Sequence, residues 1–340
     1  MNARSRLGHV AALDGVRGVA IVLVISTHYW GLPGGGPLGV GLFFVLSGFL
    51  ITTLLLEERG DTGRVALGGF YVRRARRLFP ALVALLACYL LVEGTGGLAA
   101  AAAGALYFGN ISTAFGFHDT LSGTPLGHLW SLAQEEQFYF VWPLTLLLLM
   151  RARRLMLTMA VLLAALIVYR AVLGANGASV IRLYYAPDTH ADWLLAGSLL
   201  AVARRRWPRL NVPEPVALAA FTTVFVGLLL NPWTLAWQEW QGVVFEAGCV
   251  AFVAAAISRT QLAALLSLQP LVQLGKISYS LYLWHVPVFA ILGYRHPLLA
   301  LPLAVIAAAA SWRFVEQPFR RRRAGIEPAE RPSAASVQTA

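Results

Sequence analysis

Eleven runs of mostly apolar residues, 15 to 22 long, follow one another along this 340-residue chain: 11–31, 38–56, 72–93, 98–116, 131–150, 155–173, 190–204, 214–231, 242–258, 274–293 and 298–315. About 20 apolar residues wound as a helix match the roughly 30 Å thickness of a bilayer core. In lipid the backbone must satisfy its own hydrogen bonds, which leaves the helix as the spanning element for runs of this length. The pattern therefore predicts an all-α polytopic membrane protein. Composition agrees, because 58% of the residues are hydrophobic and only 13% charged, against about 25% charged in soluble domains.

Charge position decides how many runs cross. Arginines gather at the ends of apolar runs, where the positive-inside rule expects them, so the net charge of +11 reads as topology, with no nucleic-acid partner. Arg4 and Arg6 place the N-terminus inside. Arg59, Arg64, Arg73, Arg74, Arg76 and Arg77 then fall inside, and Arg151, Arg153 and Arg154 do so only if the Ala/Gly-rich run 98–116 is re-entrant or surface-lying. With that run excluded, Arg204, Arg205, Arg206, Arg209, Arg259 and the 320–323 cluster also fall inside. The expectation is about ten transmembrane helices with cytoplasmic N- and C-termini. The chain divides into a cytoplasmic tail (1–10), an integral domain (11–319) and a basic, then disordered, cytoplasmic tail (320–340). The first run ends at Tyr29-Trp30 without a small-residue cleavage site, so it reads as a retained anchor. Cys88 and Cys249 lie in apolar runs and form neither a disulfide framework nor a metal motif. No metal site is expected.

Two ionisable residues stand out inside the first run. Arg17 and His28 are eleven residues apart, about three helical turns, which puts them on one face roughly 16 Å apart along the axis. Such groups at membrane depth cost about 2.5–3.5 kcal/mol each on insertion scales and mark functional positions.

Further segments stand out along the chain. They are Gly39-Val40-Gly41-Leu42-Phe43-Phe44-Val45-Leu46-Ser47-Gly48-Phe49-Leu50-Ile51, Arg73-Arg74-Ala75-Arg76-Arg77-Leu78-Phe79-Pro80, and His128-Leu129-Trp130-Ser131-Leu132-Ala133-Gln134-Glu135-Glu136-Gln137-Phe138-Tyr139. Gly275-Lys276-Ile277-Ser278-Tyr279-Ser280-Leu281-Tyr282-Leu283-Trp284-His285 and Glu316-Gln317-Pro318-Phe319 follow. Together with Arg17-x10-His28 these ordered segments resemble the signature of the membrane acyltransferase-3 family from residue 10 to about 322. Two departures stand out. Gly41 occupies a position where the family often has Asp. Gln134 replaces a usual aliphatic residue, a change expected to matter little. No hydrolase-like domain follows the apolar part, so a second catalytic step is not expected in this chain.

The resemblance implies an integral membrane O-acyltransferase. Its donor is acyl-CoA, usually acetyl-CoA, used as a substrate with no permanently bound cofactor. Its acceptor is a hydroxyl on a carbohydrate: a surface polysaccharide, a glycolipid or a glycosylated natural product. The implied location is a bacterial cell membrane, multi-pass, with the oligomeric state open. Polar groups in a ten-span bundle also suit a transporter or flippase for a lipid-linked sugar or acyl metabolite, which would not consume acyl-CoA.

Acyl transfer to an alcohol requires a held donor, a proton acceptor and oxyanion stabilisation. His28 suits proton acceptance near neutral pH or covalent acyl carriage. Arg17 stays protonated; it either meets donor phosphate or carbonyl, or pairs with Asp14. Arg73, Arg74, Arg76 and Arg77 match phosphate oxygens by their fork geometry, or act as topology signals; Arg74 and Arg77 are the preferred pair. Ser131, Glu135 and Tyr139 share a face at i, i+4, i+8. On that face Glu135 orients His28, or binds acceptor hydroxyls, or serves as a first-turn acid. Trp130 is placed to stack on a sugar ring. Ser278, Tyr282 and His285 share another face at i, i+4, i+7, lining the same cavity or, for His285, holding structure.

Overall fold

A computed structural model describes residues 7–117 and 120–321. The expectations for Arg4, Arg6, Arg322, Arg323 and the 324–340 tail lie outside the described residues. Within them the chain is helical throughout, with no strand. In order, the helices are α1 (Ala11–Trp30), α2 (Gly35–Thr62), α3 (Leu67–Glu93), α4 (Leu98–Ala105), α5 (Gly109–Phe115), α6 (Leu129–Leu149), α7 (Leu155–Ala175) and α8 (Val180–Tyr185). They continue with α9 (Pro187–Arg206), α10 (Glu214–Gly227), α11 (Gly242–Ala256), α12 (Gln261–Leu266), α13 (Gln269–Ile291), α14 (Pro297–Ala310) and α15 (Gln317–Arg321). Single π-helical turns, Trp237–Gln241 and Ser311–Glu316, lead into α11 and α15.

Five helical stretches are long and apolar enough to cross a bilayer: α1, α2, Leu67–Ala105, α7 and Pro297–Phe319. Helices α6, α9 and α13 have comparable lengths but carry more polar side chains, and α10 and α11 are shorter and apolar. The run 98–116 is not one helix. It breaks at Leu106–Phe108, where Tyr107 adopts φ 53°. Helix α2 extends six residues past its apolar run, because Glu57, Glu58 and Arg59 are good helix formers. It stops at Gly63, which takes φ 74° and donates its N–H to the Arg59 carbonyl.

Helix α1 packs chiefly against α13 and α2, and α2 against α9. The α2–α9 contact depends on two glycines. A Cβ on Gly48 would lie 1.9 Å from the Leu194 carbonyl oxygen, and one on Gly197 would lie 1.9 Å from that of Val45. Backbone thus meets backbone, the small-residue packing used where lipid removes the hydrophobic drive between helices. Ser198 reinforces it by donating to the Gly48 carbonyl at 3.2 Å.

Candidate functional site

Helix α1 ends at Gly31, whose φ of 67° turns the chain so that its own N–H reaches the Thr27 carbonyl and that of Leu32 the Ser26 carbonyl. That stop leaves His28 in the last turn and exposed. Eleven residues back, Arg17 is half-buried. Both ends of the stripe meet α13. Arg17 shares a cavity with Ser278 and Tyr279, and His28 Nδ1 lies 3.3 Å from His285 Nε2.

Around the His28 end the side chains are tightly interlocked. His285 is 0% exposed, and its Nδ1 donates to the Tyr282 carbonyl at 2.7 Å. The hydroxyl of Tyr29 donates to the His285 carbonyl at 2.8 Å. His128, just before α6, is buried, with its ring 5.2 Å from that of His285. Burial, helped by the nearby His28, pushes the His128 pKa down to about 3, so this imidazole is neutral at physiological pH. Tyr282 donates to the His128 carbonyl, and its hydroxyl also bonds that of Ser131.

Toward the Arg17 end lies a cavity of about 150 Å3, lined by Arg17, Ser47, Arg74, Arg77, Ser131, Glu135, Tyr139, Ser278, Tyr279 and Tyr282, with apolar walls from α2. The Ser131–Glu135–Tyr139 face therefore lines one chamber together with Ser278 and Tyr282. His28 and His285 do not line it. Tyr282 does, and its ring is 5.6 Å from that of His285, so it stands between the chamber and the histidine pair. Trp130 turns away to rings of another group, Tyr184 at 4.7 Å and Tyr185 at 4.9 Å, which also meet the half-exposed Trp233.

Glu135 does not reach His28. It accepts hydrogen bonds from Ser47 and from Tyr139, the latter at 2.7 Å, and lies 3.9 Å from Arg74. Glu136 leaves the helix on the next face and takes the Arg74 guanidinium through both Nε and a terminal nitrogen.

The four arginines of α3 consequently occupy different settings. Arg74 is neutralised by Glu136 and lies over the Tyr139 ring at 3.2 Å. Arg73 is 3.6 Å from Glu58, beside a cavity of about 580 Å3 that also holds Glu57 and Asp61. Arg76 is exposed. Arg77 has no carboxylate within ion-pair distance among the described residues and lines three adjoining cavities. One of these is a vestibule of about 500 Å3 whose titratable lining includes His9, Asp14, Arg17, Arg77, Lys276 and Glu316. It shares Arg17, Arg77, Ser278 and Tyr279 with the inner chamber. Arg17 itself bonds Asp14 at 2.7 Å.

Some residues escaped the sequence reading. Arg170, Asp192 and Glu246 form a buried cluster joining α7, α9 and α11: Arg170 pairs with Asp192, whose carboxyl also bonds that of Glu246. Each is an ionisable residue inside an apolar run, the same signal that singled out Arg17 and His28. Gln134 is also more than a neutral replacement. It is buried, and its amide donates to the Tyr185 carbonyl at 2.6 Å, tying α6 to the end of α8. Among the described residues, no group of His, Cys, Asp and Glu side chains is placed to hold a metal ion.

The chain resembles known proteins over most of its length. The family described as "Acyltransferase domain" matches residues 10–313. A protein of Staphylococcus aureus (strain COL) named "Putative O-acetyltransferase" is 32% identical, over 93% of this chain and 58% of its own length. The "Peptidoglycan O-acetyltransferase OatA" of Listeria monocytogenes is 31% identical over 92% of the chain and 56% of its own length. A Bacillus subtilis protein, "Putative peptidoglycan O-acetyltransferase YrhL", is 33% identical over 92% of the chain and 55% of its own. The chain thus spans little more than half the length of these curated relatives. No solved structure matches it. With the family match covering almost all of the helical bundle, the chain belongs to the acyltransferase-3 family.

Proposed function

We propose that the chain is an integral membrane O-acyltransferase that moves an acyl group, acetyl in the first instance, from acyl-CoA to a carbohydrate hydroxyl. The observation that carries this reading is the line of compartments along α1. It runs from a basic vestibule, through a small polar chamber, to a histidine pair whose His28 is exposed at the far end. The chamber holds about five water volumes, room for an acetyl group and the end of a pantetheine arm. A nucleotide does not fit, so the donor's phosphates stay in the vestibule. There Arg77 and Lys276 supply positive charge that no carboxylate within ion-pair distance offsets among the described residues. Arg17 stands where the two spaces join.

The Arg17 end faces the cytoplasm in this reading, with about ten spans and both termini inside a bacterial cell membrane. In the reaction, the acceptor oxygen bonds the acyl carbon and its proton passes to His28 Nε2. The carbon–sulfur bond breaks with its electron pair on sulfur, and the thiolate takes up a proton and leaves as CoA thiol. His28 lies in the last turn of α1, where the helix carbonyls favour the imidazolium so formed. Tyr282 and Ser131 must part for the acyl group to pass from the chamber to His28. The names of the relatives favour a cell-envelope polysaccharide over a small glycoside as acceptor.

The test is CoA release from acetyl-CoA by purified wild type and His28→Ala in proteoliposomes, with a panel of sugars and glycan fragments. Acceptor-dependent release by wild type, absent in His28→Ala, is expected. Transport of an intact lipid-linked sugar without any CoA release would overturn the reading in favour of a flippase.

A further inference from the structure

Backbone carbonyls fix the protons of the two histidines that meet between α1 and α13. His285 Nδ1 is 2.7 Å from the Tyr282 carbonyl and 3.2 Å from that of Leu281, and His28 Nδ1 is 3.0 Å from the Val24 carbonyl. A carbonyl oxygen only accepts, so both Nδ1 atoms carry hydrogen. A neutral imidazole has one such hydrogen, which leaves a lone pair on each Nε2. The 3.3 Å contact between His28 Nδ1 and His285 Nε2 is therefore a hydrogen bond donated by His28, shared with the Val24 carbonyl.

We propose that His285 is the positioning residue of the reaction: its Nε2 accepts from His28 Nδ1, holds the ring by its edge, and leaves the basic Nε2 of His28 turned outward to the acceptor. This rests on the reading of His28 as proton acceptor. A carboxylate commonly fills this orienting place, but among the described residues none lies within 4 Å of either ring nitrogen pair. The groups around His285 are His28 and Tyr29 of α1, His128 before α6, and Tyr282 of its own helix. An uncharged acceptor suits this depth, where a buried anion would need a cation beside it. Full burial of His285 keeps water from replacing it.

The proposal is tested by nitrogen-15 NMR of histidine-labelled protein in bilayers, with acyl-transfer kinetics on His285→Gln and His285→Leu. In wild type, His28 is expected to show a protonated Nδ1 and a bare Nε2. In His285→Leu the Val24 carbonyl still holds the Nδ1 proton, so the tautomer should persist while the His28 Nδ1 resonance shifts and broadens as the ring loses its second anchor. In that variant kcat should fall about 100-fold, the cost of a misplaced reacting group, with a donor KM within about twofold of wild type. His285→Gln keeps a carbonyl acceptor near the old Nε2 position and should retain the wild-type tautomer and most of the rate. Protonated Nε2 on His28 in wild type, or an unchanged His28 Nδ1 resonance in His285→Leu, would overturn the assignment. The spectra require no turnover, so they separate failure of this inference from failure of the acyltransferase reading. Should the Leu variant not fold, the wild-type spectrum and the Gln variant still decide.

Discussion

The guanidinium carbon of Arg74 lies 3.2 Å from the centre of the Tyr139 ring, while its nitrogens bond Glu136 three residues earlier on the same helix α6. One cation thereby joins α3 to α6 and forms part of the wall of the polar chamber. Its charge is paired with a carboxylate.

Removing Arg74 should therefore be primarily a stability defect. Arg74→Ala leaves Glu136 buried without a partner, at a cost of about 3–5 kcal/mol. Arg74→Lys should recover only part of this, because an ammonium can neither bond the carboxylate with a fork nor stack on Tyr139. Arg74→Ala combined with Glu136→Gln should cost less than Arg74→Ala alone. Denaturation in detergent, followed by tryptophan fluorescence, checks all three.

Arg77 should behave differently from its neighbours. Arg77→Gln is expected to raise the KM for acyl-CoA about tenfold or more, the loss of a charge-assisted contact, while the melting temperature changes little. Lys276→Gln should act in the same direction more weakly, from an exposed position. Arg73→Gln and Arg76→Gln should leave KM within about twofold. Initial rates against acyl-CoA concentration, at fixed acceptor, distinguish these outcomes. Equal effects from all four variants would mean that the cluster acts as a general field.

Gly41 is coupled to Trp193. A Cβ at residue 41 would come within 2.1 Å of the Trp193 ring, so the aspartate often found at this position in the family has no room here. Gly41→Asp alone should lower expression and stability sharply. Trp193→Ala alone should cost about 3–5 kcal/mol by opening a void. The double variant should be more stable than the sum of the two effects, a coupling that a double-mutant cycle measures directly.

At the far side of α9, Asp192 bonds both Arg170 and Glu246. Two carboxyl groups can hydrogen-bond each other only if one carries a proton. Glu246→Gln preserves a donor there and should shift stability by no more than about 1 kcal/mol. Asp192→Ala strands Arg170, which is 2% exposed, and should cost about 3–5 kcal/mol. Thermal melts of both variants in one detergent provide the comparison.

Hydrophobic periodicity and end charges were sufficient to read the helical class, and ten of the apolar runs fall on helices of 14 residues or more. The eleventh, 98–116, was set apart by its weak, Ala/Gly-rich composition and is broken in two. The shared face of Ser131, Glu135 and Tyr139 was legible because helical spacing is a local property.

Residue order is enough for whatever is set within one helix or at its ends: which residues lie on one stripe and which charged groups interrupt apolar surface. Who meets whom follows from how the helices pack. His285 stands 257 positions from His28, and nothing in the spacing of either helix selects the other as its partner. Glu135 and Glu136 are adjacent in sequence, yet one turns to Ser47 and the other to Arg74. Arg74 and Arg77 are one turn apart, yet only Arg74 is neutralised. Which charge stays available depends on how α3 packs against α6 and α13, because an ion pair forms or fails within a few ångströms, a distance fixed by helix packing and absent from the order of residues.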